Sequence, residues 1–248
     1  MFRDKIKTIL GRKQEDAPVP QKTAAETLKE TIREKRKSDP LIGSKLGGSA
    51  LAQRLISALK EQQGGVHIET LLCLVGSLAG YSAQASVRQM NVERGIAEEG
   101  GFVVVSGKDG KKYFFGDAVN KPLAEDQYCV WSLAAGIATH LGCQQPVKID
   151  GIFRHVATTV GTPEFGIPRI PEGHRTVDLP SHWVKTVWPQ ALAIVQNYCE
   201  SPSEWPVTFG FAIQEVMTQA KGFIDPCLAL SIVMECAIPM SKADAKTL

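Results

Sequence analysis

Ile68–Met90 reads IETLLCLVGSLAGYSAQASVRQM, and eighteen of these residues, Thr70–Val87, run without a charge. Apolar side chains fall on two faces of a helix, Ile68, Leu72, Val75 and Ala79 on one and Leu71, Leu74, Leu78 and Tyr81 on another. A helix apolar on most of its sides is a buried one. Its third face, Cys73, Gly76, Ser77, Gly80 and Ala83, is small throughout, which lets a second helix approach closely. The run is close to bilayer-spanning length and holds a G-x-x-x-G pair. Serines, Gln84 and two glycines dilute it, and His67, Glu69 and Arg88 crowd its ends, so the pattern predicts the core helix of a soluble, non-transmembrane protein.

Upstream, Phe2, Ile6, Ile9 and Leu10 share one helical face among basic residues, the form of a short interfacial segment over residues 1–13. Thr23–Lys37 is rich in helix formers with only Leu28 and Ile32 as apolar anchors, which predicts an exposed helix. Gly43, Gly47 and Gly48 read as a flexible joint, GSKLGGSA, with Ser49 capping a helix from Ala50 to Gln63. The joint superficially resembles a phosphate-cradling loop, but Ser49 and Ala50 stand where Lys and Ser or Thr belong.

Downstream, Phe102–Ser106 and Lys112–Phe115 are β-branched or aromatic and flank Gly107-Lys108-Asp109-Gly110, a hairpin signal. Val103, Val105 and Phe114 are its expected buried side chains. Pro122, Gly142, Asp150, Ser181, Pro206 and Pro226 punctuate further helices. The expected fold is therefore mainly α, a helical body around the helix at 68–90 with one hairpin at 102–115. A flexible basic arm occupies residues 1–48, a single helical domain residues 49–240, and a polar C-terminal tail residues 241–248.

The charge supports this division. Of 248 residues 44% are hydrophobic and the net charge is +2, yet residues 1–48 hold twelve Lys or Arg against seven Asp or Glu. That +5 arm leaves a body at −3, which fits a contact with an acidic partner or membrane surface through residues 1–13 and argues against nucleic acid. Six cysteines with no C-x-x-C pair point to reduced thiols and a cytoplasmic protein.

Gly161–Ser181, GTPEFGIPRIPEGHRTVDLPS, has four prolines and no helical or strand period. A long connection of this kind binds something, covers something or is disordered. Phe165, Ile167, Ile170 and Val177 offer anchors, and the prolines lower the entropy cost of order, so an ordered strap across the helical body is expected. The strap supplies the candidate chemistry. His174, Asp178 and His182 carry metal-ligating atoms, although Pro180 interrupts their spacing. Glu164, His174 and Asp178, with Asp117 at the hairpin exit, are candidate acids and bases. Arg169, Arg175 and Trp183 are candidate ligand contacts in a pocket beneath residues 161–181. Gly76-Ser77-Leu78-Ala79-Gly80 lacks the strand-turn-helix setting of a nucleophile elbow. With no catalytic signature and no cofactor expected, the leading expectation is a non-catalytic interaction or scaffold protein that self-associates. The alternative is a small-molecule enzyme or binder with its pocket under the strap.

Overall fold

The computed structural model describes residues 23–63 and 65–248. The interfacial segment expected at residues 1–13 lies outside them. The fold is mainly α with a small β insertion, with helix covering 64% of the described residues. Helices α1 (Ala24–Arg36), α2 (Ile42–Gln63) and α3 (Ile68–Glu93) are followed by strands β1 (Val103–Ser106) and β2 (Lys112–Phe115). After the hairpin come α4 (Asp117–Asn120), α5 (Val130–His140), α6 (Ile149–Thr159), α7 (Pro180–Val195), α8 (Trp205–Gln219) and α9 (Pro226–Met240).

α3 is the central element, and its long uncharged run is buried along nearly its whole length. By length and composition it is apolar enough to cross a membrane, and 89% of its apolar window is buried inside the protein. Its small face receives α9. A Cβ on Gly76 would stand 2.6 Å from the Val233 carbonyl oxygen, and one on Gly80 would overlap the Ala237 carbonyl. The two backbones thus meet where the sequence has no side chain to hold them apart.

The same device operates where a flexible joint was expected. Gly43, Gly47 and Gly48 lie inside α2, which begins at Ile42 rather than at Ala50. A Cβ on Gly48 would come within 2.6 Å of Phe211 Cβ and 2.8 Å of the Thr208 carbonyl oxygen. Each glycine costs a helix about 1 kcal/mol relative to alanine. Close packing on α8 offsets that cost, and propensity alone does not register it. Residues 23–48 are accordingly well structured. Thr23 and Glu26 form a reciprocal capping box for α1, and Arg36 makes a two-point pair with Glu204 at 2.6 and 3.0 Å.

Several boundaries also differ from expectation. Asp150 lies in the first turn of α6, which Lys148 precedes, and α7 starts at Pro180 after Leu179. The helix expected from Pro122 to Leu141 is divided, because Lys121–Glu125 forms a π turn and α5 starts afresh at Val130. Cys129 and Ser132 cap that restart reciprocally. Asp225 caps α9 as its sequence implies, accepting from the Cys227 and Leu228 N–H groups at 2.9 Å.

Residues 241–248, polar in sequence, do not trail from the body. Ser241, Lys242, Ala243 and Asp244 are buried. The Gln84 side-chain amide donates to the Ser241 and Ala243 carbonyls at 3.0 and 3.1 Å, and the Phe114 N–H donates to the Lys242 carbonyl at 2.8 Å. The expectation of six reduced thiols also fails at one pair, since Cys143 and Cys227 are disulfide-bonded with Cα atoms 5.0 Å apart.

Candidate functional site

The strap at 161–181 is tied down at successive points. Phe165 and Ile170 pack on the core, while Ile167 and Val177 stay exposed. Arg169 donates from both its backbone N–H and its guanidinium to the buried carboxylate of Glu235 on α9, at 2.7–3.2 Å. The His174 ring bonds Glu69 on α3 at 2.8 Å, and the Val177 N–H donates to the Thr70 hydroxyl at 3.2 Å. The Cys73 thiol donates to the Asp178 carbonyl. Burial works against the charged form of Glu69, but the hydrogen bond from His174 and the nearby His67 outweigh it and hold its pKa below the ordinary value.

These ties place the candidate residues, and they do not assemble a catalytic centre. Arg169 and His174 are spent on core carboxylates. Glu164 and Arg175 point to solvent, where Arg175 pairs with Glu172, and Asp117 is exposed in the first turn of α4. His174, Asp178 and His182 do not converge, and among the described residues no group of three or more His, Cys, Asp or Glu is placed to hold a metal ion. Glu164, Arg169, His174 and Arg175 thus face separate partners or solvent. The strap closes the core over α3 and α9.

Two grooves lie elsewhere. One of about 470 Å³ sits between the hairpin turn, the first residues of the strap and the C-terminal segment, and carries both Lys111 and Asp244 on its walls. Within it, Tyr113 donates to Asp109 at 2.8 Å and stacks edge-on against Phe165; burial and the Asp109 carboxylate push its pKa up to about 12. Its anions and cations offset each other. The second groove, about 390 Å³, runs between α2 and α7 with Leu74 of α3 in its floor, and of the sequence candidates it takes His182 and Trp183.

The hairpin presents the most unusual surface. β1 and β2 pair antiparallel with Val104 opposite Phe114, and the Gly107 N–H donates to the Lys111 carbonyl. Alternation along an antiparallel pair then directs the backbone groups of Val103 and Val105 at β2, and those of Val104 and Ser106 outward. β2 uses its own outward groups, because Phe114 bonds Lys242 and Tyr113 bridges Ala243. Among the described residues β1 has no such cover, and all four of its residues are exposed, Val103 at 59%. The expectation that Val103 and Val105 are buried is thus overturned, and only Phe114 is sealed in the core. The reason is that the C-terminal segment occupies the β2 side, leaving β1 at the rim. The sequence signal was present in three consecutive valines bounded by glycine, but the edge they would occupy was not. No protein-family model, curated protein or solved structure matches this chain.

Proposed function

We propose that this chain is a non-catalytic interaction protein that associates with a second copy of itself through the outer edge of β1. The observation that carries the reading is the open edge, in which three exposed valines accompany outward N–H and C=O groups at Val104 and Ser106. Soluble proteins normally blunt such an edge with lysine, proline or a covering segment; β1 contains neither residue, and no segment among the described residues covers it.

A second copy is the fitting occupant for two reasons. Antiparallel pairing about a two-fold axis at Val105 sets Val104 of each copy opposite Ser106 of the other, so the outward groups satisfy one another in a four-stranded sheet. Charge agrees with that direction. Glu98 and Glu99 precede the strand and Lys108 and Lys111 follow it, but Glu98 is already paired with Arg88 and Lys246 and Glu99 with Lys112, so charge adds only a weak preference for antiparallel over parallel addition. A four-residue seam makes a small interface, and the dimer is accordingly weak and concentration-dependent.

Sedimentation analysis of the full chain over a concentration series tests this. The wild type is expected to dimerise with rising concentration, and Val104→Lys or Val104→Pro to remain monomeric with an unchanged helical spectrum. A wild type that stays monomeric to its solubility limit, or a Val104→Lys variant that dimerises as well as the wild type, would overturn it.

A further inference from the structure

We propose that the groove between α2 and α7 is a binding site for a free apolar monocarboxylate, with its carboxylate on Arg54 and its hydrocarbon over Leu55, Leu59 and Leu74. The site is independent of the β1 edge. Its floor is apolar and closed, because Leu55, Leu59, Leu74 and Ala191 are all buried core residues that the groove reaches from outside. At about 390 Å³ it has the size of a small-molecule site.

The polar groups around this floor select the sign of the ligand. Among the described residues no aspartate or glutamate lines the groove, in contrast to the groove by the hairpin. Arg54 is exposed on the wall contributed by α2, and among the described residues it has no hydrogen-bond or ion-pair partner. Three other arginines on the body are held by carboxylates, Arg36 by Glu204, Arg88 by Glu98 and Arg169 by Glu235. Trp183, 94% buried, lines the groove from α7, and its indole N–H, sealed from solvent, has no acceptor among the described residues. With its side-chain amide reoriented, Gln190 donates to the Thr186 and Val187 carbonyls at 3.0 and 3.1 Å within α7, which leaves Arg54 as the cationic donor on the groove wall.

An uncharged apolar ligand would leave Arg54 unused, and a cation would face Arg54 across a low-dielectric floor. A fork of guanidinium donors beside an apolar trough matches a carboxylate with a hydrocarbon body.

Calorimetric titration of the full chain with octanoate, octanol and octylamine tests the assignment. Octanoate is expected to bind about tenfold or more tightly than octanol, with octylamine weaker still, a ratio that corresponds to one charge-assisted contact. Arg54→Gln is expected to remove that preference while leaving octanol binding unchanged, and Ala58→Trp, which fills the trough, to remove both. Failure of octanoate to bind, equal binding of octanoate and octanol, or an Arg54→Gln variant that keeps the preference would overturn the proposal. Binding to phosphatidylglycerol vesicles without binding to free octanoate would assign the groove to a lipid surface and overturn it as well.

Discussion

The N–H of Phe114 donates to the carbonyl of Lys242 at 2.8 Å, which fastens the inner strand of the hairpin to the residues that follow α9. The fastening has a chemical consequence, because it draws the Lys242 side chain fully inside. Its Nζ donates to Asn120 Oδ1 at 2.6 Å and stands 5.6 and 5.4 Å from the centres of the Phe115 and Phe153 rings. Among the described residues no carboxylate lies within ion-pair distance of it. Burial pulls its pKa from 10.5 down to about 7, with Glu125 acting in the opposite sense from a distance.

Stability is expected to depend on pH through this amine. Above about pH 7 the folded chain releases the proton while the unfolded chain holds it up to about 10.5, so stability rises with pH through that interval. The slope is at most about 1.4 kcal/mol per pH unit for one proton. The Cys199 thiol, pushed up by burial from 9.0 to about 12, contributes stability that is lost above its ordinary value, so the clean window is pH 7–9. Urea unfolding across that window should show the rise in the wild type and a flatter profile in Lys242→Met. Equal slopes in the two proteins would show that the amine is not the group responsible.

The α3–α9 contact predicts opposite outcomes for two Gly→Ala changes. Gly80→Ala sets a methyl against the Ala237 carbonyl, and the loss is expected to reach about 2–3 kcal/mol even after alanine's better helix propensity. Gly136→Ala in α5 has open space around it and should stabilise by about 0.5–1 kcal/mol. Thermal unfolding of both separates close packing from propensity.

Arg169→Ala removes the guanidinium from Glu235 and leaves a buried carboxylate with only the strap's backbone N–H. A loss of about 1–3 kcal/mol is expected. Because the pair anchors the strap, limited proteolysis should cut within 161–181 faster in the variant. Glu235→Gln in the same background should recover part of the loss by removing the unpaired charge.

The Cys143–Cys227 bridge spans 84 residues and joins the end of α5 to the start of α9. In the chain-entropy view a loop of that length contributes about 4 kcal/mol. A Cys143→Ser/Cys227→Ser double variant, compared with the oxidised wild type by denaturant unfolding, is expected to lose about 2–4 kcal/mol. Indistinguishable midpoints would show that the bridge adds nothing to the stability of the fold.

Periodicity was enough to read Ile68–Met90 as the buried centre, its small face as a helix contact, and 102–115 as a hairpin, because these are local consequences of which side chains recur at which spacing. Composition likewise implied that the proline-rich strap would be ordered on the body. Other features depend on what a segment meets far along the chain. Glycines at 43, 47 and 48 read as a joint until α8 lies against them. Ser241–Asp244 reads as a tail until Gln84 and Phe114 bind its carbonyls, and Arg169 reads as a ligand contact and His174 as an acid, base or metal ligand until Glu235 and Glu69 pair with them. The open edge of β1 has the same origin. Three valines in a row state that a strand forms, and only the docking of residues 242–243 on β2 decided which side of the hairpin would be left without a partner.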